Sequence, residues 1–481
     1  MISTVTNRMP AVFAGAALLL CCAFAFPAGR LRVADNHRYL EFTDGKPFFY
    51  LGDTAWELFH RLNQEEAVAY LTNRAHKGFT VIQAVALPPA DGLKAPNAYG
   101  DLPFTDGDPN KPNEAYFKHV DFIIKQADDL GLFIGLLPTW GNYWASGKSI
   151  FTVASARGYG RFLGRRYKDK PIIWILGGDR SITTDDERAI IDALAAGLTE
   201  GDGGVHLKTY HPIGPGFSSI KLHNAAWLDF NMFQSSHAAH DHDNGLFVEH
   251  DYALTPPKPT MDGEPRYEGI PVGFYLRNTS GIDRFDDYDV RQAAYWSVLA
   301  GACGHTYGNN NVWQFYRPGI ARQTSTADGA RPDGALFGAP GGLIGANIPW
   351  TEALDHPGAF QMGHLRRLLQ SLPFNKLIPD QRLILNGPQT AGEKIRAARS
   401  SDGSFAIVYT PRGDSFTLDK SVVKADRQKE IWFDPRYGVS YLFKEQDGWG
   451  IQTFTPPTSG RGNDWVLVLM DAKAAFALPG L

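Results

Sequence analysis

Beyond residue 45, short apolar runs alternate with amphipathic segments. The runs are Phe48–Gly52, Thr80–Leu87, Leu132–Leu137, Ile172–Leu176, Val205–Tyr210, Phe230–Gln234, Thr260–Gly263 and His305–Gly308. Between them lie Gln64–Lys77, Glu114–Leu130, Val153–Tyr167, Asp185–Leu198 and Val290–Ala302. Within Glu114–Leu130, Phe117, Val120, Ile123, Ile124 and Ala127 recur at helical spacing. Several runs are apolar throughout, the pattern of a parallel strand covered on both faces. Eight such strands with helical crossovers predict an α/β fold, a (β/α)8 TIM barrel, over residues 29–376. That span exceeds the ~250 residues usual for the fold. Gly319–Ile348, rich in Gly, Ala and Pro and without periodicity, reads as an insertion. A doubly wound sheet would place a Gly-rich phosphate turn after its first strand, and Leu51-Gly52-Asp53-Thr54-Ala55-Trp56 contains none.

After a last helix at Gln361–Ser371 the texture changes. Leu383–Leu385, Phe405–Tyr409, Glu430–Phe433, Val439–Phe443 and Trp465–Leu469 read as short strands separated by turn clusters such as Ser401-Asp402-Gly403. They predict a small antiparallel β-sandwich domain over residues 377–481. At the other end, Arg8, the apolar stretch Ala11–Cys22 and Ala23-Phe24-Ala25 have the layout of a signal peptide over residues 1–28. The apolar run is short of the ~20 residues a spanning helix needs, so no stable membrane partner is expected after cleavage. A lipid anchor at Cys21 or Cys22 is the lesser alternative. The chain is then expected in the periplasm or outside the cell, with Cys303 as its one remaining cysteine and no internal disulfide.

Composition narrows the function. A net charge of −4 on 481 residues argues against a nucleic-acid partner. Aromatic residues make up 12%, which suits a cleft where rings stack on the apolar faces of sugars.

In a β/α barrel the active site gathers at the carboxyl ends of the strands. Those ends bring Asp53, Trp56, Gln83, Trp140, Asp179, His211, Gln234, His237, Glu264, His305 and Trp313 to one mouth. Asp179 follows the apolar run Ile172–Leu176, where an aspartate is costly to bury without a task. Glu264 follows a short strand, with Asp262 expected on the same side of it. Two carboxyl groups facing each other across a mouth are what glycoside hydrolysis requires. Trp56, Trp140 and Trp313 are candidates for stacking on sugar, and Asp53, Gln83, His211, Gln234, His237 and His305 for binding hydroxyls. His237, His240, Asp241, His242 and Asp243 invite a metal reading, but they lack the spacing of a helical ligand pair beside a catalytic Glu. No metal or other cofactor is expected, and no G-x-S-x-G nucleophile elbow is present. A non-catalytic sugar-binding barrel is the alternative function.

The same segments carry a resemblance. Tyr50–Phe59, Lys77–Gln83, Ile175–Asp179, Thr260–Pro265 and Arg291–Gly301 resemble the apiosidase-like glycoside hydrolases, family 140 of the sugar-enzyme classification. The tail is similar to the β-sandwich named for collagen binding. The resemblance implies a hydrolase that removes a terminal sugar, apiose or a related pentose or deoxy sugar, from plant cell-wall polysaccharide. It places the two catalytic carboxylates on Asp179 and Glu264, with Asp179 as acid/base and Glu264 as nucleophile of a retaining reaction. The expected partner is an oligosaccharide or polysaccharide substrate.

Overall fold

The computed structural model describes residues 29–145, 147, 149–276, 283–319 and 343–479. The expected signal peptide and residues 320–342 of the expected insertion lie outside them. A small antiparallel sheet opens the chain: β1 (Leu31–Val33), β2 (Leu40–Phe42) and β3 (Pro47–Phe48). The central sheet follows, with β4 (Tyr50–Thr54), β5 (Val81–Val85), β6 (Phe133–Leu137), β7 (Ile172–Gly177), β8 (Lys208–His211), β9 (Gly216–Phe217), β10 (Asn231–Gln234), β11 (Thr260–Asp262) and β12 (Gly304–Tyr307). Its order is β8-β7-β6-β5-β4-β12-β11-β10-β9. All pairs are parallel except β9 with β10.

The sheet curls into a nearly closed barrel. No ladder joins β8 to β10, but three hydrogen bonds span the seam. Asp229 N–H donates to the Lys208 carbonyl at 2.9 Å. Lys208 N–H donates to the Asp229 carboxylate at 2.7 Å, and Thr209 Oγ1 to the Phe230 carbonyl at 2.7 Å. Helices α1 (Leu58–Arg61), α2 (Gln64–His76), α3 (Glu114–Asp129), α4 (Val153–Tyr167), α5 (Asp185–Asp202), α6 (Ser219–Leu222), α7 (Gly245–Tyr252), α8 (Asp287–Leu299), α9 (Trp350–Ala353) and α10 (Pro357–Gln370) provide the crossovers and the closing segment. Capping boxes start α2, α4, α5 and α8, each supplying partners for backbone N–H groups that the helix leaves free.

Register assigns each strand residue to a face. Tyr50 points into the barrel, where its hydroxyl meets Gln83. Gly304 and Thr306 pair with Tyr50 and Gly52 and share the inner face, so His305 and Tyr307 face the helices.

The C-terminal part forms two antiparallel sheets. One contains β13 (Leu377–Pro379), β15 (Arg396–Ser400), β16 (Phe405–Thr410), β18 (Arg427–Asp434), β19 (Val439–Asp447) and β21 (Trp465–Asp471). The other contains β14 (Ile384–Asn386), β17 (Phe416–Asp419) and β20 (Ile451–Phe454). The six-stranded sheet is buried on both faces. Ala406, Val408, Leu467 and Leu469 pack with Phe416 and Phe454 of the smaller sheet. Ile407, Tyr409, Val466 and Val468 share a core with Tyr295, Val298 and Leu368 of α8 and α10. This explains why β16 is apolar up to Tyr409 and β21 up to Met470 although both are antiparallel.

Candidate active site

Asp179 is delivered by a turn built for it. β7 ends on Gly177 (φ 94°), Gly178 follows (φ 91°), and Asp179 itself sits at φ 53°. A Cβ on Gly178 would lie 2.9 Å from Cα of Trp140, so the turn needs glycine for both its backbone conformation and its close approach. Trp144 Nε1 holds it from below, donating to the Gly177 carbonyl at 2.7 Å.

His211, at the inner end of β8, joins the two carboxyl residues. Its Nδ1 accepts the Asp179 backbone N–H at 3.1 Å. That hydrogen bond fixes the tautomer, leaving the ring proton on Nε2, which lies 3.2 Å from Glu264 Oε2. On the other side, His237 Nε2 lies 3.2 Å from Glu264 Oε1. Glu264 is 8% exposed. Burial alone would raise its pKa, but the two imidazoles outweigh burial and hold the carboxyl down at about 2. Asp179 goes the opposite way. Burial and the negative charge of Glu264 push it up to about 7, against the pull of His211, Arg180 and a hydrogen bond from Gln234. The two pKa values are thus driven apart, giving one carboxylate and one carboxylic acid near neutral pH.

The expected site residues separate into two groups. His211, Gln234 and His237 contact the carboxyl pair directly. Trp56 and Trp140 pack on the His211 ring at 5.4 and 6.2 Å between ring centres, which holds the imidazole in place. Trp313 sits 7% exposed, its Nε1 donating to Asn310 at 3.2 Å.

The remaining three point elsewhere. Asp53 faces α2, bonded to Arg74 Nε at 2.6 Å and Tyr70 Oη at 2.5 Å. Gln83 crosses the barrel interior and donates to the carbonyl of Gly263 at 2.9 Å, bracing the peptide before Glu264. His305 lies in the helical layer, kept neutral by burial and by nearby Arg266, with its pKa down at about 3. Asp262 does not share a side with Glu264. It faces outward to Ser235 and Asn244, because β11 ends there and the chain turns at Gly263.

The histidine run does not converge. His237 serves Glu264, His240 bonds Asp289 and Asp283, and His242 packs on Phe247. Among the described residues no group of three or more His, Cys, Asp or Glu side chains gathers as metal ligands would.

Sequence reasoning missed Tyr267, whose buried hydroxyl lies against Thr54, Trp56 and Glu264. It also missed Phe274 and Tyr275, which flank His237 and Ser236. Tyr275 is 41% exposed beside the site. Only its position after Glu264 could have hinted at Tyr267.

Residues 34–376 match the family model of the apiosidase-like catalytic domain. The chain belongs to the apiosidase-like family. Residues 378–470 match the model of a domain of a collagenase that is named for collagen binding. Two solved structures are similar to this apiosidase-like chain over nearly its whole length. One, a glycoside hydrolase, is 35% identical with a TM-score of 0.83, covering 94% of this chain and 98% of its own. The other, a glycoside hydrolase family 5 protein from Bacteroides vulgatus, is 34% identical with a TM-score of 0.83, covering 94% and 96%. No curated protein sequence matches the chain. The apiosidase-like chain is therefore a glycoside hydrolase, and its substrate is a carbohydrate.

Proposed function

We infer that this enzyme is exported by residues 1–28 and cleaves a terminal apiose or related pentose or deoxy sugar from plant cell-wall polysaccharide, as a (β/α)8 member of family 140. Residues 29–376 carry the catalysis and 377–481 form the appended sandwich. The observation that carries the mechanism is the single imidazole of His211 touching both Asp179 and Glu264. Asp179, protonated near neutral pH, gives its proton to the leaving oxygen. Glu264, held ionised by His211 and His237, attacks the anomeric carbon and forms a glycosyl-enzyme bond. Asp179, now a carboxylate, takes a proton from water, which attacks the same carbon and frees Glu264. The negative charge of Glu264 raises the pKa of Asp179, which supports two carboxyl groups near each other, and the retaining reaction proposed here needs them about 5–5.5 Å apart.

Gln234, His237, Trp140 and Trp313 border the sugar in this reading, with Tyr275 at the rim. Asp53, Gln83 and His305 act by holding the barrel. The test is incubation of the mature protein with aryl glycosides and pectic oligosaccharides, following the released sugar and its first-formed anomer by NMR. Release with retained configuration is expected, and Glu264→Gln should lose at least about 10³-fold in kcat, the scale of the strongest single catalytic groups. Full turnover by that variant overturns the assignment; a first-formed anomer of inverted configuration overturns retention alone.

A further inference from the structure

The segment between β10 and α7, residues 235–244, touches the active site on one side and the C-terminal sheets on the other. On its inner side His237 Nε2 meets Glu264 Oε1, and the Ser236 N–H donates to the Glu264 carbonyl at 3.3 Å. On its outer side the partners come from the C-terminal part. Arg396, on β15, places Nη2 2.8 Å from both carboxylate oxygens of Asp243, and Nη1 2.7 Å from Glu249 of α7. Its side chain is 3% exposed. The guanidinium lies on the backbone of Gly245, where a Cβ would come within 2.3 Å of Cζ. The neighbouring Asn244 donates to Asp262 at 3.0 Å, beside the strand end that bears Glu264. His240 rests on Asp289, which also receives Arg461 of the C-terminal part at 3.0 Å.

We propose that Arg396 is a positioning residue for the nucleophile, fixing the 235–244 segment from the C-terminal sheet so that His237 stays on Glu264. The consequence for turnover rests on the glycosidase mechanism above; the consequence for the segment itself does not. Glu264 faces His211 from β8, His237 from this segment, Asp179 from the turn after β7, and Tyr267 downstream of β11. Of these, His237 alone lies on the segment that Arg396 grips at Asp243; its carbonyl also accepts the Gly273 N–H at 2.7 Å and its ring packs on Tyr267 and Phe274. Without the guanidinium, Asp243 keeps only Lys394 at 3.2 Å and the Gly245 N–H at 3.0 Å, neither of which ties it to β15. His237 then drifts, and Glu264 loses one of its two imidazole partners.

The experiment compares full-length Arg396→Met, Arg396→Lys and Asp464→Asn proteins with the parent. Asp464 meets Arg291 of α8 elsewhere on the same interface and does not touch the segment. Arg396→Met is expected to lower kcat about tenfold or more and to move the acid limb of the kcat/KM profile up by about one pH unit. Hydrogen exchange over residues 235–244 should accelerate at the same time. Arg396→Lys should recover most of each effect. Asp464→Asn should lower the melting temperature and leave the limb in place. If Arg396→Met fails to fold, Asp243→Asn carries the same readouts. Parental exchange rates and an unmoved limb in the Arg396→Met protein (or in Asp243→Asn where that replaces it) overturn the proposal. So does an equal shift in Asp464→Asn. Exchange needs no substrate: faster exchange in Arg396→Met, with a parent protein that hydrolyses no glycoside, would refute the glycosidase mechanism and retain the bracing.

Discussion

Asp179 and Glu264 are both carboxylic acids, and their surroundings give them opposite charge states. With Glu264 held at about 2 and Asp179 raised to about 7, activity is expected to be level through mildly acidic pH and to fall above pH 7 as Asp179 ionises. The pair titrates together, so the limbs of the profile belong to the pair. Asp179→Asn should lose about 10²–10⁴-fold in kcat and abolish the alkaline limb, which a pH–rate series reads directly. The raised pKa also costs stability. A group that holds its proton more tightly when folded weakens the fold as pH rises from its unfolded value of 3.8 to about 7. Calorimetry should therefore find Asp179→Asn more stable than the parent at pH 8, with the difference vanishing near pH 4. Asp53 offers a contrast. Its pairing with Arg74 is fully buried, and Asp53→Asn should lose about 3–5 kcal/mol in denaturant unfolding. Because Asp53 points at α2, the KM of the folded fraction should not change.

At the level of elements, the turn Gly177-Gly178-Asp179 joins backbone conformation to chemistry. Gly178→Ala would force a side chain against Trp140 in a region of positive φ, at a cost of about 1–3 kcal/mol, and should move Asp179 off His211. Loss of activity beyond the loss of folded protein, measured as kcat per folded molecule, checks this.

Strands β5, β6 and β7 were legible as largely apolar runs of five or six residues, whereas β8, β10, β11 and β12 are three or four residues long with polar members and were legible by their spacing; the strand ends led to the carboxyl pair. The α7 segment Gly245–Tyr252 was not legible. It buries Gly245 and Asp251 and exposes Leu246, so no apolar stripe marks it. Nor was β15, whose sequence Arg-Ala-Ala-Arg-Ser begins with the arginine that reaches across to Asp243. Candidate residues were found by their place at strand ends, which gives nearness to the mouth but not direction. His305 and Asp53 lie on the right strands and face the wrong way, and that parity is set by register.

At the scale of the molecule, the barrel and the C-terminal sheets meet through the buried pair Arg291–Asp464, with both guanidinium contacts near 2.6–2.7 Å. Tyr295 stacks on Tyr409 at 4.8 Å beside it. Arg291→Met, which strands the Asp464 charge, should cost about 3–5 kcal/mol. Because one apolar core runs through α8, α10 and the six-stranded sheet, both parts should melt in a single calorimetric transition; two resolved transitions would contradict this. An accessory module joined to its enzyme by a flexible linker alone could be detached without uncovering the core of either. Here the accessory lends one side of its main sheet to the interior of its host, so a gene fusion that moved it to another enzyme would carry away an exposed greasy wall and leave another behind. Lineages that keep this pair of modules are expected to inherit them as one piece, with matched changes on both sides of the junction.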